Sequence, residues 1–246
     1  AFRSMGPGPQ PDKPPPLPRR GEGEPVRPRS TDVDADMRYT GDLSLRGIGA
    51  AFARTGGNFL PPSGKLWDAL PEADKRQFVG AWLEASRYAR VAAADGSAIS
   101  TAVVNDPDIN GSAYSSPTMR RISIATHTLN NPKMERNAER TADGWRGGRR
   151  WSVSTGGASG EHSPIATVLH EIAHARHSLD ALEKTRKRHT KRNKPTAAKV
   201  SAYAATRRSE FVAEVWAGHA LGERYDADVY ALYAKYNGPE LESPFP

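Results

Sequence analysis

The chain has 246 residues, enough for one or two folded domains, and 37% of them are hydrophobic. It contains no cysteine, so disulfide bonds and cysteine-ligated zinc are excluded, and any zinc must be held by histidine and carboxylate side chains. Its formal net charge of +7 favours acidic partners in general. No apolar run approaches the ~18 residues of a membrane span or resembles a signal-peptide core, so we expect neither in this chain.

Three parts of the chain differ in composition. Residues 1–36 hold nine of the twenty prolines and almost no aliphatic side chains, which predicts a disordered, proline-rich tail or linker, with a polyproline ligand as the alternative. We expect a helical N-terminal part of the folded unit over residues 37–95. A second, mixed part follows over residues 96–246.

The N-terminal part shows two helical patterns. A stretch rich in glycine and alanine over residues 43–59 predicts a short helix, and residues 71–91 predict a longer helix with one apolar side. Phe78 and Trp82 lie on that side. We expect these aromatic residues to form core rather than a binding site.

After residue 95 the spacing of the hydrophobic residues changes from that of a helix to that of a strand. Residues 99–104, 121–126 and 151–155 have strand patterns, and the polar segment 130–150 is expected to be a surface excursion. Strands followed by helices, without regular β-α alternation, predict an α+β fold rather than a doubly wound sheet.

The residues His170, Glu171 and His174 form an HExxH motif. Helix positions four apart differ by about 40° around the axis, so the two histidines can bind one metal ion from the same side. Glu171 lies roughly 100° from His170, where its carboxylate can reach a water molecule on the metal. Ser163 as N-cap and Pro164 at the first helical position indicate where this helix begins.

The opposite side of the motif helix is apolar. Chance matches to HExxH also occur on helices whose histidines are polar surface residues, which is the alternative interpretation. An apolar stripe opposite the histidines favours the metal-binding interpretation. The stripe comprises Ile165, Val168, Leu169, Ile172 and Leu179.

A catalytic zinc ion usually has three protein ligands and one open position. Glu210 and Glu214 are one helical turn apart on a predicted helix whose other side is apolar, so Glu210 would complete a His-His-Glu site. Glu214 could accept a hydrogen bond from a ligand imidazole. The alternative interpretation of this segment is an ordinary amphipathic helix with solvated glutamates. His162 and His219 are other candidates for the third ligand, with no motif to support them. His177 lies out of reach of the metal and is expected to face solvent or to support a ligand.

A dense basic run, residues 184–194, begins at Lys184 and ends at Lys194. It could bind phosphate or an acidic segment of a substrate. No aromatic residues alternate with the charges, which favours a solvated surface over a nucleic-acid interface. Nucleic acid is therefore not the favoured partner.

The motif and its downstream helix together resemble a known family. HExxH followed by E-x-x-x-[DE] resembles the gluzincin zinc metallopeptidases. Tyr203, seven residues before Glu210, and the E-F-x-A-E segment that ends at Glu214 are similar to the catalytic domain of anthrax lethal factor and its relatives. The resemblance covers residues 122–222, less than half of the chain.

The resemblance implies a zincin-like metallopeptidase domain over residues 96–246, with a small mixed sheet beside the active-site helix and the ligand-glutamate helix. It implies one zinc ion per chain with His170, His174 and Glu210 as ligands. Glu171 would be the general base, and Tyr203 would donate a hydrogen bond to the oxyanion. A strand at 121–126 or 151–155 could pair with an extended peptide.

The expected activity is that of a zinc endopeptidase acting on a protein or peptide substrate. Domains of this kind occur in secreted or injected toxins and in phage-associated proteins, which favours such a setting over a resident cytoplasmic one. The alternatives are a metal-bearing virion or interaction protein without proteolytic activity, a DNA-associated metalloprotease, and a basic binding module in which the motif is accidental.

Overall fold

A computed structural model describes residues 39–61, 64–93, 96–104, 111–116, 119–125, 164–177 and 187–241. All of them belong to the unit Thr31–Pro246. The predicted tail over residues 1–36, the polar segment 130–150 and the strand predicted at 151–155 lie outside the described residues. The division of the chain at residues 36 and 95 stays a prediction.

The described chain combines helices with one small sheet, which confirms the expected mixed composition. None of the described helices is both long and apolar enough to cross a membrane. In chain order the elements are α1 (Leu45–Ala53), β1 (Asn58–Phe59), α2 (Gly64–Ala69), α3 (Glu72–Tyr88), β2 (Ser100–Val104), β3 (Gly111–Ser116), β4 (Met119–Ala125), α4 (Pro164–Arg176), α5 (Lys194–Ala198), α6 (Arg208–Ala220) and α7 (Ala227–Lys235).

Both predicted N-terminal helices form, but they are shorter than predicted. Helix α1 covers Leu45–Ala53 of the predicted 43–59, where residues 58–59 form β1 instead, and α3 covers Glu72–Tyr88 of the predicted 71–91. The hydroxyl of Ser44 caps α1 by accepting a hydrogen bond from the backbone N–H of Gly47 at 3.1 Å. Helix α3 carries Glu72 and Asp74 in its first turn and Arg87 in its last. This arrangement of charges complements the helix dipole and stabilises both ends.

The sheet has the strand order β1-β2-β4-β3. The pairs β1–β2 and β2–β4 are parallel, while β3 pairs antiparallel with β4. The strands expected at residues 99–104 and 121–126 are therefore confirmed as β2 and β4. Strand β3 is not predicted, because its sequence Gly-Ser-Ala-Tyr-Ser-Ser has no apolar alternation. Since β4 is paired on both sides, it cannot accept a peptide as an added strand, and that part of the expectation is wrong.

An aromatic cluster fills the core beneath the N-terminal helices. The ring of Phe52 stacks on Trp82 with centroids 4.6 Å apart and lies 5.7 Å from Phe78. The indole of Trp82 donates a hydrogen bond to the Thr55 hydroxyl at 2.9 Å. Phe78 and Trp82 are fully buried. This confirms that they belong to the core, as their position on α3 predicts.

Helix α4, which carries the HExxH motif, lies among the other elements rather than on the surface. It packs against α3, α6, β3 and β4. The described residues of its predicted apolar side, among them Leu169 and Ile172, are buried. His170 and Glu171 on the other side are buried as well. The interpretation of the motif as a pair of surface histidines is therefore wrong.

Helix α6 is buried along nearly its whole length. It packs against α4, and the indole of Trp216 donates a hydrogen bond to the carbonyl of Glu240 at 3.1 Å. The guanidinium of Arg176 at the end of α4 lies 5.4 Å from the Trp216 ring. Glu214 is 1% exposed, so the alternative of an amphipathic helix with solvated glutamates is also wrong.

Candidate metal centre

Helices α4 and α6 bring three potential metal ligands together. The Nε2 atoms of His170 and His174 are 3.1 Å apart, and each lies 3.2 Å from Oε2 of Glu210. These three residues are close enough to hold one metal ion, and we call them the metal triad. They are also the three that the sequence predicts as ligands.

The spacing of the metal triad suits a small divalent cation. Ligands about 2.0–2.1 Å from a tetrahedral zinc ion lie about 3.3–3.4 Å from one another. The observed separations of 3.1 to 3.2 Å are only slightly shorter. Two imidazole nitrogens and one carboxylate oxygen form a donor set that such metals accept.

The orientation of His170 is fixed by hydrogen bonds on the side away from the metal triad. Its Nδ1 atom lies 2.9 Å from Oε1 of Glu214, and the Ser201 hydroxyl donates to Oε2 of the same carboxylate at 2.7 Å. The backbone N–H of Ala204 donates to the Ser201 hydroxyl at 2.9 Å. Because a carboxylate only accepts, Nδ1 must carry the proton, and Nε2 of His170 is free to bind a metal.

The electrostatic field of the metal triad favours a cation. Burial alone would lower the pKa of His170, but the carboxylates of Glu210 and Glu214 outweigh it and raise that pKa well above its ordinary value. Burial would raise the pKa of Glu210, but the two histidines lower it well below its usual range. The same negative groups would attract a metal ion.

Glu171 follows His170 on α4 and is 6% exposed. Within the described part of the chain, its Oε2 atom has no hydrogen-bond partner. Burial raises the pKa of this carboxyl group, while the neighbouring histidines act in the opposite direction. A buried carboxylate with an unused acceptor beside three potential ligands is the arrangement that a general base requires.

Tyr203 lies against the metal triad and is half-buried. Its ring centroid is 5.8 Å from that of His170, and its hydroxyl group takes part in a hydrogen bond with Glu210. Burial, followed by the neighbouring carboxylates, raises the pKa of Tyr203 above its ordinary value. The phenol therefore stays protonated and can donate a hydrogen bond.

The loop that carries Tyr203 is held at both ends. Ser201 binds Glu214 at one end, and Nε2 of His189 donates to the carbonyls of Ala204 at 2.9 Å and Arg207 at 3.0 Å at the other. Sequence reasoning misses both Ser201 and His189. Neither belongs to a motif with the ligands, and their contacts depend on how the chain folds back.

The remaining histidine candidates do not join the metal triad. His177 is buried, and its Nε2 atom donates to the carbonyl of Tyr236 at 3.1 Å, so the expectation that it faces solvent is wrong. Nδ1 of His219 lies 3.1 Å from the Tyr230 hydroxyl. His162 lies outside the described residues.

Comparisons with models of protein families, with curated proteins and with solved structures find no match to this chain. The resemblance to lethal factor-like domains therefore rests on the motifs themselves. The mixed fold and a His-His-Glu group of metal-binding size are what the structure adds to those motifs.

Proposed function

We propose that this chain is a zinc-dependent endopeptidase of the gluzincin type, with a zincin-like domain that hydrolyses peptide bonds of a protein substrate. One observation carries the proposal. The metal triad, with ligand atoms 3.1 to 3.2 Å apart, adjoins the buried carboxylate of Glu171, whose Oε2 atom has no partner among the described residues. A site that only held a structural metal would not need that unpaired carboxylate.

A zinc ion held by the metal triad would act as a Lewis acid on the scissile carbonyl and would acidify a water molecule. Glu171 would accept a proton from the attacking water and deliver it to the leaving nitrogen. Its burial favours this role, because a raised pKa brings a carboxylate closer to neutral pH, where a base and an acid are both needed.

Tyr203 supplies the hydrogen bond to the developing oxyanion. Its phenol is protonated and lies beside His170 and Glu210, on the loop between Ser201 and α6. A single donor of this kind contributes a few kcal/mol, about 2.7–4, to transition-state stabilisation. The role of Glu214 is to hold His170 in position.

The substrate would lie along β3. This strand packs against α4, and among the described residues it pairs with β4 on one side only. We infer that an extended peptide adds to the other edge of β3, which has no partner among the described residues, and so passes the metal triad. The substrate-pairing role thus moves from the segment 121–126 to Gly111–Ser116, while the other expected segment, 151–155, lies outside the described residues and stays a candidate.

The first test is the zinc content of the purified chain. We expect about one zinc ion in the wild type, retention in Glu171→Gln and loss in Glu210→Ala. A peptide-library screen then measures cleavage, with Glu171→Gln reduced about 10²–10⁴-fold. Because Gln has nearly the shape of Glu, this variant controls for folding.

Three other results would replace the proposal. If Glu210→Ala retains zinc, the third ligand is a residue other than Glu210. Zinc without Glu171-dependent cleavage would favour a metal-bearing virion or interaction protein. Cleavage that requires DNA would favour a DNA-associated metalloprotease. A secreted, injected or phage-associated setting belongs to the same proposal and is tested by finding the substrate.

A further inference from the structure

The positive charge of this chain is concentrated in one segment. Residues 184–209 contain ten Lys and Arg residues and no Asp or Glu, whereas the rest of the chain has 25 Lys and Arg residues against 28 Asp and Glu residues. The net charge of +7 is therefore carried entirely by this segment. The same segment contains Tyr203 and ends one residue before Glu210.

The fold brings the described ends of this segment together. The backbone N–H of Arg208 donates to the carbonyl of Lys187 at 3.2 Å, and His189 binds the carbonyls of Ala204 and Arg207. Cations about twenty residues apart in sequence thus lie side by side at the start of α6. We define the basic surface by five of the exposed cations of this segment: Lys187, Arg188, Lys191, Arg192 and Arg207.

The charges of the basic surface are not neutralised within the described part of the chain. None of its five residues forms an ion pair there, and Asp226 and Asp228 are bound to Lys199 instead. Glu210, three residues after Arg207, belongs to the metal triad itself, where its carboxylate contacts the two histidines. The positive end of the α6 dipole adds to this field. Stability alone disfavours such crowding of like charges, which indicates an anionic partner.

We propose that the basic surface binds an acidic segment of the protein substrate while a neighbouring peptide bond lies at the metal triad. This inference rests on the proposed function. The short loop from Ser201 to Arg207 connects the basic surface to Tyr203, so one extended peptide can cover both. No Phe, Tyr or Trp lies between positions 187 and 194, which favours a peptide over nucleic acid as the partner of this surface.

The binding measurement uses the full chain with zinc and the Glu171→Gln substitution, so that no peptide is hydrolysed. Fluorescence anisotropy compares three labelled probes: a peptide with Glu at every second position, the same peptide with Gln instead, and an oligo-dT of equal length. Two variants reverse the surface charge, Lys187→Glu with Arg188→Glu, and Lys191→Glu with Arg192→Glu. The matched control reverses two exposed cations on the N-terminal helices, Arg54→Glu with Lys65→Glu.

We expect the acidic peptide to bind at least about tenfold more tightly than its neutral counterpart, and less tightly at 300 mM than at 50 mM salt. Each charge-reversed pair should weaken this binding at least about tenfold, and the control pair less than about twofold. Zinc content and circular dichroism verify that each variant is folded. The two independent pairs preserve the test if one variant does not fold.

Equal effects of the surface and control pairs would overturn the inference, because the attraction would then reflect net charge alone. If oligo-dT binds more tightly than the acidic peptide and the charge-reversed variants of the basic surface lose this binding, the partner is nucleic acid and the inference is wrong. If neutral peptides are cleaved and the two charge-reversed variants of the basic surface cleave them as fast as the parent and bind the acidic peptide as tightly, the inference is wrong and the proposed function stands. Binding of the expected pattern without Glu171-dependent cleavage would overturn the proposed function, and with it the substrate role of the surface, and would leave only an anion-binding surface.

Discussion

The Nδ1 atom of His170 lies 2.9 Å from Oε1 of Glu214, and this contact decides which nitrogen of His170 faces the metal triad. With a proton on Nδ1, Nε2 would present its lone pair to a metal ion held by the metal triad. Ser201 holds the other oxygen of Glu214 at 2.7 Å, and the backbone of Ala204 holds Ser201. A chain of hydrogen bonds thus runs from the backbone to a potential metal ligand.

The Ser201→Ala substitution tests this chain. It removes the donor to Glu214 and the acceptor for the Ala204 N–H, so Glu214 can turn and orient His170 less well. We expect zinc affinity to fall about 10-fold, near the lower end of the range for groups that support metal ligands. Competition with a chromophoric chelator at fixed pH measures the dissociation constant. Ser201→Thr keeps the hydroxyl and is the matched control, and an alanine variant that binds zinc as tightly as the wild type would contradict the role.

The Tyr203→Phe substitution removes the proposed oxyanion donor and nothing else from the ring. We expect kcat/KM to fall about 10²–10³-fold, mainly through kcat, because the hydrogen bond acts in the transition state. The zinc content should not change, since the three ligands remain. Steady-state kinetics on a cleaved library peptide and metal analysis measure the two quantities. Loss of zinc would instead mean that the hydrogen bond to Glu210 holds a ligand in place.

The parts of the site that could be predicted are those with helical spacing. His170 and His174 must share a side of α4, and Glu210 and Glu214 must share a side of α6, because both pairs are four residues apart. Periodicity also predicts that Leu169 and Ile172 face the core. What brings the two helices together cannot be obtained from their spacing.

The parts that could not be predicted depend on contacts between distant segments. Strand β3 forms because β4 offers it a partner, although its own residues have low strand propensity. His189 reaches the loop of Tyr203 because the basic segment folds back on α6. No local pattern marks Ser201 either, thirteen residues before Glu214. Such positions are determined by the tertiary fold and not by local sequence.

Removal of the metal should lower the thermal stability of the chain. A ligand that binds only the folded state at about 1,000 times its dissociation constant contributes about 4 kcal/mol. For a folded part of this size we therefore expect a chelator to lower Tm by about 10 °C. Differential scanning fluorimetry with and without chelator measures the change. His174→Ala should show no shift with chelator, and a wild type that also shows none would argue against metal binding.

The aromatic cluster can be tested separately from the site. Phe52 is fully buried and stacks on Trp82, so Phe52→Ala should destabilise the chain by about 3–5 kcal/mol through lost packing and a cavity. Urea unfolding of the chelator-treated chain measures the loss. The zinc content of the folded variant should be unchanged, because Phe52 belongs to the core beside α3. Leu45→Ala, at a position 43% exposed on α1, is the control and should change stability by less than about 0.5 kcal/mol.

The stability of the chain should decrease in acid partly because of His219. Burial, with a smaller effect of Arg224, lowers the pKa of His219 to about 4 in the folded chain, whereas in the unfolded chain it is about 6.5. Between these values the unfolded state binds the proton more readily. The stability contributed by neutral His219 is therefore complete above pH 6.5 and is lost as the pH falls towards 4.

Urea unfolding at several pH values measures this loss of stability. A chelator is present throughout, so that pH-dependent metal binding does not contribute to the measured free energy of unfolding. His219→Gln keeps a hydrogen-bonding group for Tyr230 but cannot titrate, so its advantage over the parent should grow as the pH is lowered. Parallel pH profiles for the two proteins would show that His219 is solvated in solution and does not contribute.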